Sequence, residues 1–214
     1  MLKIGAYAYD RIMSGVEEAG LTSWRRDLLT SLAGEVIEIG AGTGSNLSLY
    51  PADVKGLVLS EPDAHMRSRL SKAVASRRKA ISQQGGSTTI DVIDAPCEQL
   101  PFPEGTFDAA VVTLVLCSVR DPILALKEIY RVLKPGGRLV YLEHVAALDR
   151  PRRLRWQQLV EPVWKRMAGN CHLTRVTEDS IVSSGFQIVE LERASMRKAP
   201  PIVRPTIRGV AFRP

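Results

Sequence analysis

Val36-Ile37-Glu38-Ile39-Gly40-Ala41-Gly42-Thr43-Gly44-Ser45-Asn46 runs an apolar strand into a glycine turn. A second strand, Gly56-Leu57-Val58-Leu59-Ser60, follows and ends on Glu61. A strand, a glycine-rich turn, a helix start near Ser45 and an acid closing the next strand together describe a nucleoside site. The glycines let the backbone pass close to a ligand, and free N–H groups at a helix start favour a carboxylate or phosphate. Glu61 is spaced to accept hydrogen bonds from both ribose hydroxyls. Glu38, inside an otherwise apolar strand, is a charge that needs a partner. An ammonium group, met directly or through water, would supply one.

The glycine spacing separates one nucleoside class from another. The dinucleotide fingerprint G-x-G-x-x-G requires Gly or Ala at position 45, and Ser45 stands there. Glycines at 40, 42 and 44, with an acid two residues before the first, resemble motif I of the class I S-adenosylmethionine (SAM) methyltransferases. That resemblance implies SAM as cofactor and S-adenosylhomocysteine as product. It carries cofactor contacts onto Glu38, Gly40, Ala41, Gly42, Gly44, Asn46, Glu61 and Pro62. Met66 is a candidate for the adenine face, with plain helix packing as its alternative. Ala95, Cys97 and Glu98 of the third-strand loop, and Thr113 and Leu114 at the fourth strand, complete the set. Related enzymes often place Asp where this chain has Pro96, so the adenine amino group is left to backbone atoms or to Asp94.

The surrounding chain reads as alternating strands and helices, hence a parallel sheet covered on both faces. Helices are expected at 4–20, 23–33, 63–80, 121–133 and 177–183, and strands at 36–40, 56–60, 88–93, 109–116, 138–143, 186–193 and 206–212. Asp63 is positioned to cap its helix after Pro62, and Lys134-Pro135-Gly136-Gly137 reads as a helix stop and turn. Residues 1–33 form a helical cap and 146–176, basic and bearing Trp156 and Trp164, an inserted cover over the substrate, all within a single domain spanning 1–214.

Composition narrows the partners. The net charge is +6, but the basic residues are scattered, with runs only at Arg67–Lys79 and Arg150–Arg155. Aromatic–basic alternation of the kind that stacks bases is missing, which argues against a nucleic-acid partner. There is no apolar run of about eighteen residues and no secretory signal pattern, so the expected compartment is cytoplasmic. Peripheral membrane contact through Arg150–Arg155 and the oligomeric state stay open. Cys97, Cys117 and Cys171 form no C-x-x-C pair, so their spacing indicates neither a disulfide framework nor a metal site.

Further motifs sharpen the resemblance. Leu100-Pro101-Phe102, Phe107-Asp108 and Leu133-Lys134-Pro135-Gly136-Gly137 are similar to the UbiE-type branch of the class I methyltransferases. This implies a Rossmann-like seven-stranded α/β sheet of order 3-2-1-4-5-7-6, strand 7 antiparallel. Thr113–Val119, Glu143–Ala147, Trp156-Gln157-Gln158 and Asn170–Arg175 resemble the mammalian microsomal alkyl-thiol methyltransferases. Those enzymes carry an apolar N-terminal anchor that is not seen in this sequence. The resemblance implies a small, fairly apolar acceptor, a thiol first. The alternatives are O- or N-methylation of a quinone-like or heteroaromatic molecule, and a SAM-binding protein without catalysis.

His144, closing the fifth strand, is the candidate general base, with backbone hydrogen bonding as its alternative. Cys117, His172, Trp156, Trp164 and Tyr9 are candidates to line the acceptor, and Tyr7 and Tyr9 could also cover the cofactor. Arg175 would pair with an acidic acceptor, or with Glu178 or Asp179.

Overall fold

The computed structural model describes residues 14–214; Tyr7, Tyr9 and most of the first expected helix lie outside that range. A π-helical turn, Glu17–Leu21, leads into α1 (Thr22–Leu29). Then come β1 (Gly34–Ile39), β2 (Val54–Ser60), α2 (Ala64–Gln83), β3 (Thr89–Ile93), β4 (Phe107–Thr113), α3 (Pro122–Val132) and β5 (Leu133–His144). The chain closes with α4 (Pro151–Met167), α5 (Thr177–Ser183), β6 (Gln187–Ser195) and β7 (Pro205–Phe212). All seven strands form one sheet of order β3-β2-β1-β4-β5-β7-β6. The β1–β2, β1–β4, β2–β3 and β4–β5 pairs are parallel, and β7 runs antiparallel to both β5 and β6.

The two faces of the sheet follow from the two-residue period of strands. Ile37, Ile39, Ala110, Val112, Leu139 and Tyr141 pack with Leu126 and Ile129 of α3 and Ile181 of α5. Their neighbours Val36, Ala109, Val111 and Val140 pack on the other side with Leu29 of α1 and Leu70 and Val74 of α2. Buried on both faces, the central strands read as unbroken apolar runs.

Several local expectations are corrected. No α-helix starts at Ser45; instead Gly44, Leu47 and Leu49 donate to the carbonyls of Ala41, Gly44 and Asn46, a run of tight turns halted before Pro51. β4 ends at Thr113 rather than Leu116, because Leu114 turns to φ +61°. Lys134–Gly137 is not a free turn but the irregular start of β5, where the register shifts between Phe107 and Ala109. Asp63 does cap α2, accepting from the N–H groups of His65 and Met66.

Candidate functional site

The carboxyl ends of β1, β2, β4 and β5 lie side by side, and open α/β sheets bind ligands at such an edge. Gly40, Gly42 and Gly44 all have positive φ. At Gly40 a side chain is excluded twice over: φ is +62°, and a Cβ would meet Val115 Cγ2 at 2.7 Å. A Cβ on Gly42 would meet nothing within 4 Å, so open space faces the middle of the loop.

Beneath the loop is a buried polar network. Glu38, 2 % exposed, accepts from Asn46 Nδ2 at 2.9 Å and from the Tyr50 hydroxyl at 2.6 Å. Arg25 of α1 is also buried; its guanidinium donates to Asn46 Oδ1 at 3.0 Å and Thr113 Oγ1 at 2.7 Å. Its Nε meets Glu17 at 3.1 Å. Burial pushes the Glu38 carboxyl up to about 7, against the lowering influence of Tyr50, Arg25 and Asn46. A carboxyl held near neutrality beside an open loop is set to ionise when a cation arrives.

Arg25 is a site residue that sequence reasoning missed. The signal was there: Leu21, Arg25, Leu29 and Leu32 share one helical stripe, and a charge within such a stripe needs a buried partner.

Glu61 closes β2 as expected. Its Oε2 accepts from Gly42 N and its Oε1 from Asp63 N, each at 2.8 Å, so it ties the glycine loop to the start of α2. Each oxygen keeps a second lone pair for a ligand hydroxyl. Burial raises its pKa, and the two backbone donors offset part of that rise.

Next along the chain, Pro62 is exposed and Met66 half-buried. In the third-strand loop Ala95 and Cys97 are buried, the Ala95 carbonyl accepts from Ser60 Oγ at 2.6 Å, and the Cys97 thiol contacts Glu98. Asp94 is engaged by Arg67 at 2.7 Å.

At the β4 and β5 ends a second buried group forms. Glu143, fully buried, accepts from the N–H groups of Val115, Leu116 and Cys117 and so shapes the turn that carries Cys117. Like Glu38, it is an acid at the end of an apolar strand, and that signal went unread. The Cys117 thiol, a nitrogen of His144 and the Cys171 thiol lie within 4.8 Å of one another. His144 Nε2 is 2.7 Å from Cys171 Sγ, and Trp164 Nε1 donates to the same sulfur at 3.2 Å.

Other acceptor-side expectations change. His144 Nε2 faces the Cys171 thiol, and its Nδ1 has no hydrogen-bond partner among the described residues. Trp156 is 60 % exposed and Trp164 is the indole that packs inward. His172 pairs with Glu161 at 3.5 Å, and burial and Arg175 lower its pKa. Arg175 pairs with neither acid proposed for it; it donates to the carbonyls of Leu116 and Val119.

Two cavities lie elsewhere. One of about 450 Å³ lies at the amino ends of β1, β4 and β5, and one of about 570 Å³ lies along α4 between Gln158 and Thr174. Neither touches Glu38 or Glu61.

Residues 37–141 match the family described as Methyltransferase domain. The human protein named Thiol S-methyltransferase TMT1B is 35 % identical, over 86 % of this chain and 74 % of its own length. The Ubiquinone/menaquinone biosynthesis C-methyltransferase UbiE of Geotalea daltonii is 33 % identical over 55 % of this chain and 43 % of its own. Among solved structures, a SAM-dependent methyltransferase of Thermotoga maritima superposes with a TM-score of 0.65 at 23 % identity, covering 97 % of this chain and 94 % of its own.

Proposed function

The chain belongs to the SAM-dependent methyltransferases of the Methyltransferase domain family, and from that premise we propose that the acceptor it methylates is a small, fairly apolar thiol. SAM is the cofactor. It supplies an activated methyl group on a sulfonium, so the protein's task is alignment and exclusion of water. Positioning of that kind is worth on the order of 7–11 kcal/mol.

The chain's residues divide that task. Glu61 holds the ribose hydroxyls, and the Gly40–Gly44 loop passes the backbone close to the methionine portion. Glu38 faces the ammonium group, and Arg25 the carboxylate. Thr113 and Asn46 fix the Arg25 and Glu38 side chains in place.

The observation that carries the thiol reading is the 35 % likeness to an enzyme named for thiol methylation, extending over 86 % of the chain. The site supports it. With the Nε2 of His144 held against Cys171, that nitrogen is not free to take a proton from an acceptor. A thiol, ionising near 8.5, needs the least help of the candidate acceptors. The O- or N-methylation reading lacks such support.

Transfer of labelled methyl to an alkyl thiol, a dithiol, a phenol and a quinol tests the assignment, with calorimetry of SAM binding on the same preparation. Turnover of the thiols is expected. Turnover of the phenol or quinol with no thiol product would overturn the thiol reading while leaving the methyltransferase intact.

A pH effect follows from Glu38. In the free protein this carboxyl is mostly protonated below pH 7. The cationic ammonium favours its ionised form, so binding expels the proton and tightens as pH rises toward 7. Calorimetry in buffers of different ionisation enthalpy should show close to one proton released per SAM at pH 6, and progressively less as pH rises through 7. Glu38→Gln should abolish the release. Equal proton counts in wild type and variant would remove Glu38 from this role.

A further inference from the structure

Cys117, His144 and Cys171 come from three distant parts of the chain: the turn after β4, the last residue of β5, and the segment after α4. Each belongs to one of the stretches that resemble the alkyl-thiol methyltransferases, and the fold makes those stretches converge. All three residues are buried, at 2 %, 4 % and 8 % exposure. Their ligand atoms lie within 4.8 Å of one another, whereas Cys97 stands apart beside Glu98.

Two thiols and an imidazole are the donor set that soft or borderline cations select, and three protein ligands leave a fourth position open. A tetrahedral zinc with bonds of about 2.3 Å to sulfur and 2.0–2.1 Å to nitrogen sets its ligand atoms roughly 3.5–3.8 Å apart. The cluster is already at that scale, and the His144–Cys171 contact of 2.7 Å would have to open by less than about 1 Å.

His144 is buried with one ring nitrogen, Nδ1, unpartnered among the described residues, although buried polar atoms are normally satisfied. The other, Nε2, meets the Cys171 sulfur, so the imidazole carries bonding capacity that the surrounding protein leaves unused. Two thiolates and one divalent cation together carry no net charge, so loading the site adds none to the interior.

We propose that Cys117, His144 and Cys171 hold a zinc-type divalent cation whose fourth position receives the sulfur of the acceptor. The second half of this proposal rests on the thiol reading above; the first half does not. On binding, the acceptor thiol loses its proton to solvent and its sulfur bonds to the metal as a thiolate. A lone pair of that sulfur then forms the new S–CH₃ bond while the S–CH₃ bond of SAM breaks, its electron pair remaining on S-adenosylhomocysteine. The product is a neutral thioether, a weaker ligand than a thiolate, and it leaves.

The test titrates reduced, metal-free protein with Co²⁺, left to equilibrium because the site is buried. One equivalent should bind and give the sulfur-to-cobalt charge-transfer absorption of a thiolate site. Cys117→Ser, Cys171→Ser and His144→Ala should each weaken cobalt binding by at least about a hundredfold, more than loss of an outer-shell partner costs. Cys97→Ser should keep both stoichiometry and spectrum.

Addition of an alkyl thiol should shift the cobalt spectrum, and addition of a phenol should not. Absence of charge-transfer absorption in folded, SAM-binding wild type overturns the metal site, as does an unchanged spectrum in Cys171→Ser. A cobalt spectrum that no thiol perturbs overturns only the acceptor role. Methyl transfer to thiols, measured separately, shows whether the thiol reading itself has failed.

Discussion

Glu61→Ala should weaken SAM binding by at least about a hundredfold. A carboxylate accepting two ribose hydroxyls makes two charge-assisted hydrogen bonds, each worth roughly 1.5–3 kcal/mol, and about 3 kcal/mol lost in total is already more than a hundredfold. The structure adds a second cost. The same carboxylate receives the N–H groups of Gly42 and Asp63, so its removal frees the glycine loop that the cofactor must meet in one conformation. Glu61→Gln, which retains one acceptor oxygen, should lose less. Calorimetry decides the point, with thermal melts showing that each variant is folded. Affinity within threefold of wild type in the alanine variant would remove Glu61 from ribose binding.

Gly209→Ala should destabilise the fold by at least about 3 kcal/mol, lowering the melting temperature by roughly 6–12 °C for a chain of this size. The reason is space, since Gly209 has no unusual φ. It sits in β7 between Tyr141 of β5 and Leu191 of β6. A Cβ there would lie 1.9 Å from the Glu190 carbonyl oxygen and 2.7 Å from the Tyr141 hydroxyl. Those two groups are hydrogen-bonded at 2.8 Å where the β6 register shifts between Ile188 and Glu190. The methyl group must therefore displace backbone or break that bond. A melting temperature within 2 °C of wild type would show that the bulge relaxes more readily than this packing implies.

Much of this architecture was legible in the order of residues. Residues 36–40, 56–60 and 109–116 read as strands, and the unbroken apolar run of the last fits burial on both faces of the sheet. Glu61 stood out as the acid closing an apolar strand and Glu38 as an acid within one. The capping of α2 by Asp63 was legible from its residue type and its place after Pro62.

What was not legible depended on distant contacts. A helix was expected from about Ser45, but Asn46 is turned inward to Glu38 and Pro51 stops the chain too soon for a stable helix. The end of β4 at Leu114 is a positive φ in a residue that usually avoids it. Cys117 and Cys171 are far apart in sequence. They meet because β5 returns beside β4 and the segment after α4 folds back over both, which no local pattern encodes.

The contact between Arg25 and Thr113 spans 88 positions. In the growing chain, the helix bearing Arg25 emerges well before the strand that will hold its guanidinium. The ligand-binding edge therefore cannot close until β4 has emerged, and it closes through a long-range contact of the kind that forms slowly. Cofactor capture should therefore require β4, and a nascent chain stalled before β4 should retain no SAM.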